Sequence, residues 1–254
     1  MKQAAATLSD LDTEVHVWLA RPDDITDVKR LDSYVRMLSE GERKRHERFH
    51  FDVHRKLYLV SHALVRTALS RYADTSANQW RFSKGEFGRP EISTENGTPR
   101  LRFNLSHTEG LAALVICLDD DCGLDVERLN RVKDLHGVAK RVFTPRELED
   151  LSRRTGSSLQ GRFTDYWTLK EAYMKARGMG FQLPPHTFSI RLPDRGHAPL
   201  SLEFPDGFDD RSDRWRLSLH PLSHWKAPAY RLAIALRRGD ATARRIVIRQ
   251  VIPG

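Results

Sequence analysis

The chain is poor in cysteine. It has two, Cys117 and Cys122, among 254 residues. Two close thiols make no disulfide framework, and no second ligand pair stands beside them as a structural zinc site would need. The expected state is a pair of reduced thiols in a cytoplasmic protein. Long apolar runs are also missing. Leu111 to Leu118 is among the longest, far below the roughly 18 residues that a membrane span requires. Met1 to Asp10 lacks a basic patch followed by an apolar stretch, so no secretory signal is expected. There is no low-complexity tract and no short-period repeat. The sequence also shows no zinc finger, no RNA-recognition aromatic motif and no clear helix-turn-helix. A G-x-S-x-G nucleophile elbow is absent too.

What is present is enough apolar material for a core, 39% of residues, and an excess of positive charge. Lys and Arg number 42 against 34 Asp and Glu, a formal charge of +8. That field favours anionic partners, whether nucleic acid, phosphorylated cofactors or acidic proteins, and alone distinguishes none of them. The length suits one large domain or two fused ones.

Periodicity divides the chain into mixed elements. Glu14 to Leu19 alternates and reads as a strand. Ile25 to Leu38, the charged Ser39 to Arg48 and Arg55 to Tyr72 read as helices. The last is the best of them, with Leu57, Leu64, Val65 and Leu69 at helical spacing. A short strand is expected at Trp80 to Phe82, and the glycines and proline of Lys84 to Pro90 predict a loop. Phe103 to His107 leads into the strand Leu111 to Leu118, and Asp119 to Asp121 is a turn marking a boundary. Beyond it a strand is expected at Gly123 to Glu127 and a helix at Val132 to Val142. Thr144-Pro145-Arg146-Glu147 forms a capping box. A helix from Gly161 to Arg177 stops at Gly178. Strands follow at Phe188 to Leu192, Leu200 to Phe204, Trp215 to Leu219, Tyr230 to Leu236 and Ile246 to Ile252, with a charged turn from Asp206 to Asp213. Helices and short strands mix in both halves, so the class is α+β. The halves divide at 1–119 and 120–254.

Four clusters carry chemistry. On a strand, Asp125 and Glu127 point the same way while Leu124 and Val126 point into the core. Two like charges on one face repel unless a cation or protons neutralise them. Magnesium takes oxygen ligands of this kind, usually with substrate phosphates. Gly123 allows another backbone to approach. In the helix Trp167 to Gly178, Glu171 and Lys175 are four apart and share a face. In Phe103-Asn104-Leu105-Ser106-His107, the side chains of Ser106 and His107 diverge, which suits phosphate contact better than a nucleophile–base pair. The fourth cluster is the basic run Arg43, Lys44, Arg45, Arg48, Arg55 and Lys56, whose arginines present forks that fit phosphate. Taken singly, each is also what an ordinary solvated face or turn would show.

Together, and in this order, they resemble the Sfp-type family of 4′-phosphopantetheinyl transferases. The resemblance runs from about Ser39 to Leu192. Its specific part is G-x-D-x-E at Gly123 to Glu127, followed about forty residues later by W-x-x-K-E-A-x-x-K from Trp167 to Lys175. It implies two similar α+β subdomains about a pseudo-twofold axis, with the active site between them. It also implies transfer of the 4′-phosphopantetheine arm of coenzyme A to a serine of an apo acyl or peptidyl carrier protein. Adenosine 3′,5′-bisphosphate would be released. Asp125, Glu127 and Glu171 would hold Mg2+ with the pyrophosphate of coenzyme A. Lys175 would contact phosphate with Lys170 near it, and Glu171 and Lys175 would be the catalytic pair. Ser106 and His107 would meet the 3′-phosphate and adenosine end, and Arg45, Arg48, Arg55 and Arg89 would face the nucleotide. The expected partners are the carrier protein and coenzyme A, with no nucleic acid and no membrane, and the expected state is a monomer. Two other classes compete: a basic module that binds nucleic acid, and a magnesium phosphohydrolase acting on nucleotides. The second gives no reason for Ser106-His107 or for Lys175 at its spacing.

Overall fold

In a computed structural model of the chain, residues 6–93, 101–129, 134–193, 200–222, 229–237 and 244–254 are described. The helices are α1 (Val28–Met37), α2 (Glu40–Glu47), α3 (Asp52–Leu69), α4 (Leu135–Val142), α5 (Pro145–Ser152) and α6 (Gly156–Arg177). The strands in the first half are β1 (Glu14–Ala20), β2 (Phe82–Lys84), β3 (Pro90–Ile92), β4 (Leu101–Thr108) and β5 (Leu111–Leu118). Those in the second are β6 (Cys122–Arg128), β7 (Ser189–Arg191), β8 (Ser201–Glu203), β9 (Trp215–Leu222), β10 (Tyr230–Arg237) and β11 (Arg245–Gln250). The α+β class therefore holds. Val132 and Lys133, the expected start of α4, lie outside the described residues.

The chain forms two compact units. The first comprises residues 1–84, 90–119 and 241–254. Its sheet has the order β11-β1-β5-β4, with β1 antiparallel to β5 and parallel to β11. α3 packs on this sheet because its apolar residues recur at helical spacing, and Leu57, Val60, Leu64 and Leu69 join Trp18, Leu114 and Ile116 in one core. The end of the chain therefore belongs with its beginning. Treating 120–254 as one half leaves out this pairing, which no local pattern announces.

The second unit comprises residues 85–89 and 120–240. Its main sheet is antiparallel in the order β6-β10-β9. α6 lies along β6 and β10, and its Leu169, Tyr173 and Met174 enter a core with Phe143, Phe163, Phe188 and Ala233. Thr144 begins α5 with the expected capping box: its amide donates to Glu147 Oε2 at 2.9 Å. α6 ends at Gly178, whose φ of +69° is the left-handed cap expected of a glycine there.

Candidate active site

The site begins with how closely α6 approaches β6. A Cβ built on Gly123 would stand 2.0 Å from the Ala172 carbonyl oxygen and 2.3 Å from the Ala176 amide nitrogen. Only glycine fits, as the close-approach reading anticipated. Side chains alternate along a strand, so Asp125 and Glu127 share Gly123's face and point toward α6. The facing helix presents Trp167, Glu171 and Lys175, four residues apart and therefore on one stripe. Strand face and helix stripe meet in register. Lys175 Nζ donates to Asp125 Oδ1 at 2.6 Å, and Trp167 Nε1 donates to Glu127 Oε1 at 3.1 Å. Glu171 stands on the stripe between these two donors.

The electrostatics follow from this placement. Burial is the main reason that the Glu171 carboxyl is pushed up to about 7; the charge of Asp125 adds to it, Lys175 opposes it and Glu127 adds again. The three carboxylates expected to act together are thus close enough to feel one another. Asp125 is only 3% exposed, and Leu124 and Val126 on the other face are buried as well. β6 is therefore covered on both sides at these positions, and the ordinary solvated face that two acidic residues would also suggest does not apply at Asp125. Among the described residues, no three His, Cys, Asp or Glu side chains converge on a common point as a closed metal site would. The donor set still suits a hard divalent cation, being all oxygen and mutually repulsive.

Lys170 has a different place from the one expected beside the phosphate. Its side chain is 1% exposed. The ammonium lies 3.0 Å from Glu147 Oε2, donates to the Pro185 carbonyl at 2.8 Å and also donates to the Phe188 carbonyl. Burial lowers its pKa to about 8, with Glu147 pulling it back up. One helical residue turns a side chain by about 100°, so Lys170 faces the core while Glu171 faces β6. Glu147 also accepts the Ile190 amide at 2.7 Å and has no exposed side-chain surface. As a sequence position it announced only a helix cap. Its burial comes from the tertiary fold.

Arg89 belongs to the second unit. Its guanidinium donates to the carbonyls of Ala176 at 3.0 Å and Cys122 at 3.2 Å, and lies 3.6 Å from Asp121. So engaged, it ties the end of α6 to the start of β6. The other expected nucleotide contacts lie in the first unit. Arg45 and Arg48 are exposed on and just after α2. Arg45 stands 5.8 Å from the centre of the Tyr58 ring. Arg55, in the first turn of α3, donates to Asp52 at 2.9 Å and to the Phe49 carbonyl at 2.6 Å. On β4, Ser106 is buried and His107 exposed, diverging as adjacent strand residues do. Trp167 opens the W-x-x-K-E-A-x-x-K motif and reads as part of the apolar face of its helix, whereas its indole nitrogen meets Glu127. Its place four residues before Glu171 was the available signal.

Comparison with known proteins gives the family. Residues 26–118 match the model of the 4′-phosphopantetheinyl transferase N-terminal region, and residues 121–235 match that of the 4′-phosphopantetheinyl transferase superfamily. The 4′-phosphopantetheinyl transferase HetI of Nostoc sp. is 35% identical over 176 residues, covering 68% of this chain and 72% of its own. A 4′-phosphopantetheinyl transferase of Bacillus subtilis is 31% identical over 182 residues, 70% of this chain and 76% of its own. The 4′-phosphopantetheinyl transferase Sfp of Bacillus subtilis is 31% identical over 194 residues, 75% of this chain and 80% of its own. With β6 and α6 carrying the G-x-D-x-E and W-x-x-K-E-A-x-x-K residues face to face, the chain belongs to the 4′-phosphopantetheinyl transferase family.

Proposed function

We propose that this protein transfers the 4′-phosphopantetheine arm of coenzyme A to a serine hydroxyl of an apo acyl or peptidyl carrier protein. Adenosine 3′,5′-bisphosphate leaves. The observation that carries the proposal is the meeting of two stripes, Gly123-Asp125-Glu127 and Trp167-Glu171-Lys175. It gathers three carboxylates and one ammonium in a chain of this family. Asp125, Glu127 and Glu171 would hold Mg2+. When bound, the ion would neutralise charge on the pyrophosphate.

The chain's own residues account for the rest. Lys175 brings a positive charge to Asp125 and would meet the phosphate whose charge grows as the bond to the leaving group breaks. Glu171 would accept the proton of the attacking serine hydroxyl. Phosphoryl transfer needs positioning and charge neutralisation more than covalent help, and a rigid strand–helix contact provides positioning. Arg45, Arg48, Arg55, Ser106 and His107 would meet the nucleotide end of coenzyme A. The reading places the protein in the cytoplasm as a monomer. Cys117 and Cys122 are both buried and form no disulfide, and no helix among the described residues is long and apolar enough to cross a membrane.

The test is to incubate the purified protein with coenzyme A, magnesium and several apo-carriers, then weigh the carriers. The expected product is heavier by one phosphopantetheinyl group, and a chelator in excess should stop its formation until magnesium is restored. Unchanged masses across all carriers would defeat the proposal, and full turnover under chelation would remove the metal from it.

A further inference from the structure

The W-x-x-K-E-A-x-x-K motif contains two lysines, and the structure gives them opposite surroundings. Lys175 is partly open and bonded to Asp125. Lys170 is closed in. An ammonium has three N–H donors. Those of Lys170 are matched by three acceptors: Glu147 Oε2 at 3.0 Å, the Pro185 carbonyl at 2.8 Å and the Phe188 carbonyl. The Phe188 ring lies over the same nitrogen, 4.4 Å from its centre. Nothing is left to bind a phosphate. Glu147 is equally committed, accepting the amides of Thr144 at 2.9 Å and Ile190 at 2.7 Å besides the lysine. The pair thus fastens α6 to the first turn of α5, to β7 and to the segment between Pro185 and Phe188.

We propose that Lys170 is a positioning residue: with Glu147 it sets the rotation and height of α6, and so places Glu171, the next residue, against β6, without touching coenzyme A. The proposal rests on the transferase reading for its activity assay. The reason a brace is needed is the tight seat of α6 on Gly123, where backbone meets backbone and a small roll of the helix would carry Glu171 off the carboxylate face. A buried ion pair cut on one side leaves a bare charge, whereas replacing both partners restores neutrality. A contact to phosphate has no such remedy.

This difference is the experiment. In Lys170→Met, kcat should fall by about tenfold to a hundredfold, as displacement of catalytic groups does, with the KM for coenzyme A changed by less than about threefold. Adding Glu147→Gln should recover both kcat and thermal stability. A rise of about tenfold or more in the KM for coenzyme A that persists in the double variant would overturn the proposal. So would a double variant that folds no better than the single one. If the single variant does not fold, the unaltered protein still answers. After reductive methylation and peptide mapping, Lys170 should stay unmodified and Lys175 should react. A Lys170 that reacts in the free protein and is shielded by coenzyme A would also overturn it. Failure of the transferase reading has a separate signature: no carrier is modified by the unaltered protein, while the stability rescue and the methylation pattern are unaffected.

Discussion

Asp125 holds two roles in one carboxylate. It lies almost wholly buried against α6, and it accepts a hydrogen bond from Lys175 at 2.6 Å. Truncation to alanine would therefore confuse a lost ligand with an unpaired ammonium. Asp125→Asn keeps the shape and removes the charge. We expect kcat/KM to fall at least about a hundredfold, the scale of losing one preorganised electrostatic group, with little change in the far-ultraviolet circular dichroism. A steady-state assay beside a melting curve checks both halves. Activity within a few-fold of the unaltered protein would take Asp125 out of the reaction. Gly123 two residues earlier makes the opposite case, a residue with no chemistry and no substitute. In Gly123→Ala the new methyl meets backbone atoms at 2.0 and 2.3 Å, which cannot swing aside as a side chain can. The cost should reach about 3 kcal/mol or more, at the upper end of overpacking effects. It would be read as a lower urea midpoint, and since the site is distorted with it, transfer should fall too.

Among the elements, the joint between α2 and α3 carries a pH dependence. Glu42 completes the Ser39 capping box of α2, taking the Ser39 amide at 2.7 Å. It also binds Arg66 Nη2 at 2.6 Å and His62 Nδ1 at 3.0 Å, both on α3. Burial pushes its pKa up, but the bonds from His62 and Ser39 and the charges of His62 and Arg66 outweigh this, and the carboxyl ends at about 2 against an ordinary 4.5. A carboxylate lowered by folding stabilises the fold above its unfolded value. That contribution fades as the pH drops from about 4.5 through 2. It is on the order of 2–3 kcal/mol for a mostly buried group. Glu42→Gln should lower stability at pH 7 by about that amount and flatten the acid limb of the stability curve between pH 5 and 2, measured by urea titration at stepped pH. An acid limb identical to that of the unaltered protein would show that the joint owes nothing to this charge. Part of this scale was legible beforehand. α3 and α6 announce themselves by period, α5 by its capping box and the end of α6 by its glycine. But α3 begins at Asp52 and not Arg55, α6 at Gly156 and not Gly161, and β3 lies where only a loop and its proline were read. The carboxylate stripe follows from alternation on a strand. The environment of Lys170 was not legible. α6 is buried on several sides, so its polar residues do not sort into an outer face. Spacing within a motif says which side chains share a face, and not whether that face meets a ligand or the core. His16 was hidden for a related reason. It breaks the apolar pattern of β1, yet it is fully buried because Tyr72 Oη at 2.6 Å and Glu14 at 2.7 Å satisfy both ring nitrogens.

At the scale of the whole molecule, the first sheet is completed only by the last strand. β1 pairs with β5 on one side and with β11 on the other, in a parallel register that runs from Glu14 opposite Arg245 to Leu19 opposite Gln250. Residues 231 apart in sequence are hydrogen-bonded here. A contact of that separation is closed against a loop entropy that nearer pairings do not meet, and we expect it to form after them. Until it forms, β1 presents an unpaired edge whose side chains from Val15 to Ala20 are all destined for burial, the combination that invites pairing between chains. The end of the chain is also tied to the helices, through Tyr34 Oη donating to the Pro253 carbonyl. A chain cut after Arg237 should therefore keep the elements of the second unit while the first loses cooperativity. We expect amide exchange from 15 to 19 to rise most at the groups directed toward β11. We also expect unfolding of the first unit at lower urea with a smaller dependence on denaturant, and concentration-dependent association on refolding. Exchange rates on β1 equal to those of the full chain, with a single unchanged transition, would mean that β5 and α3 alone hold the strand.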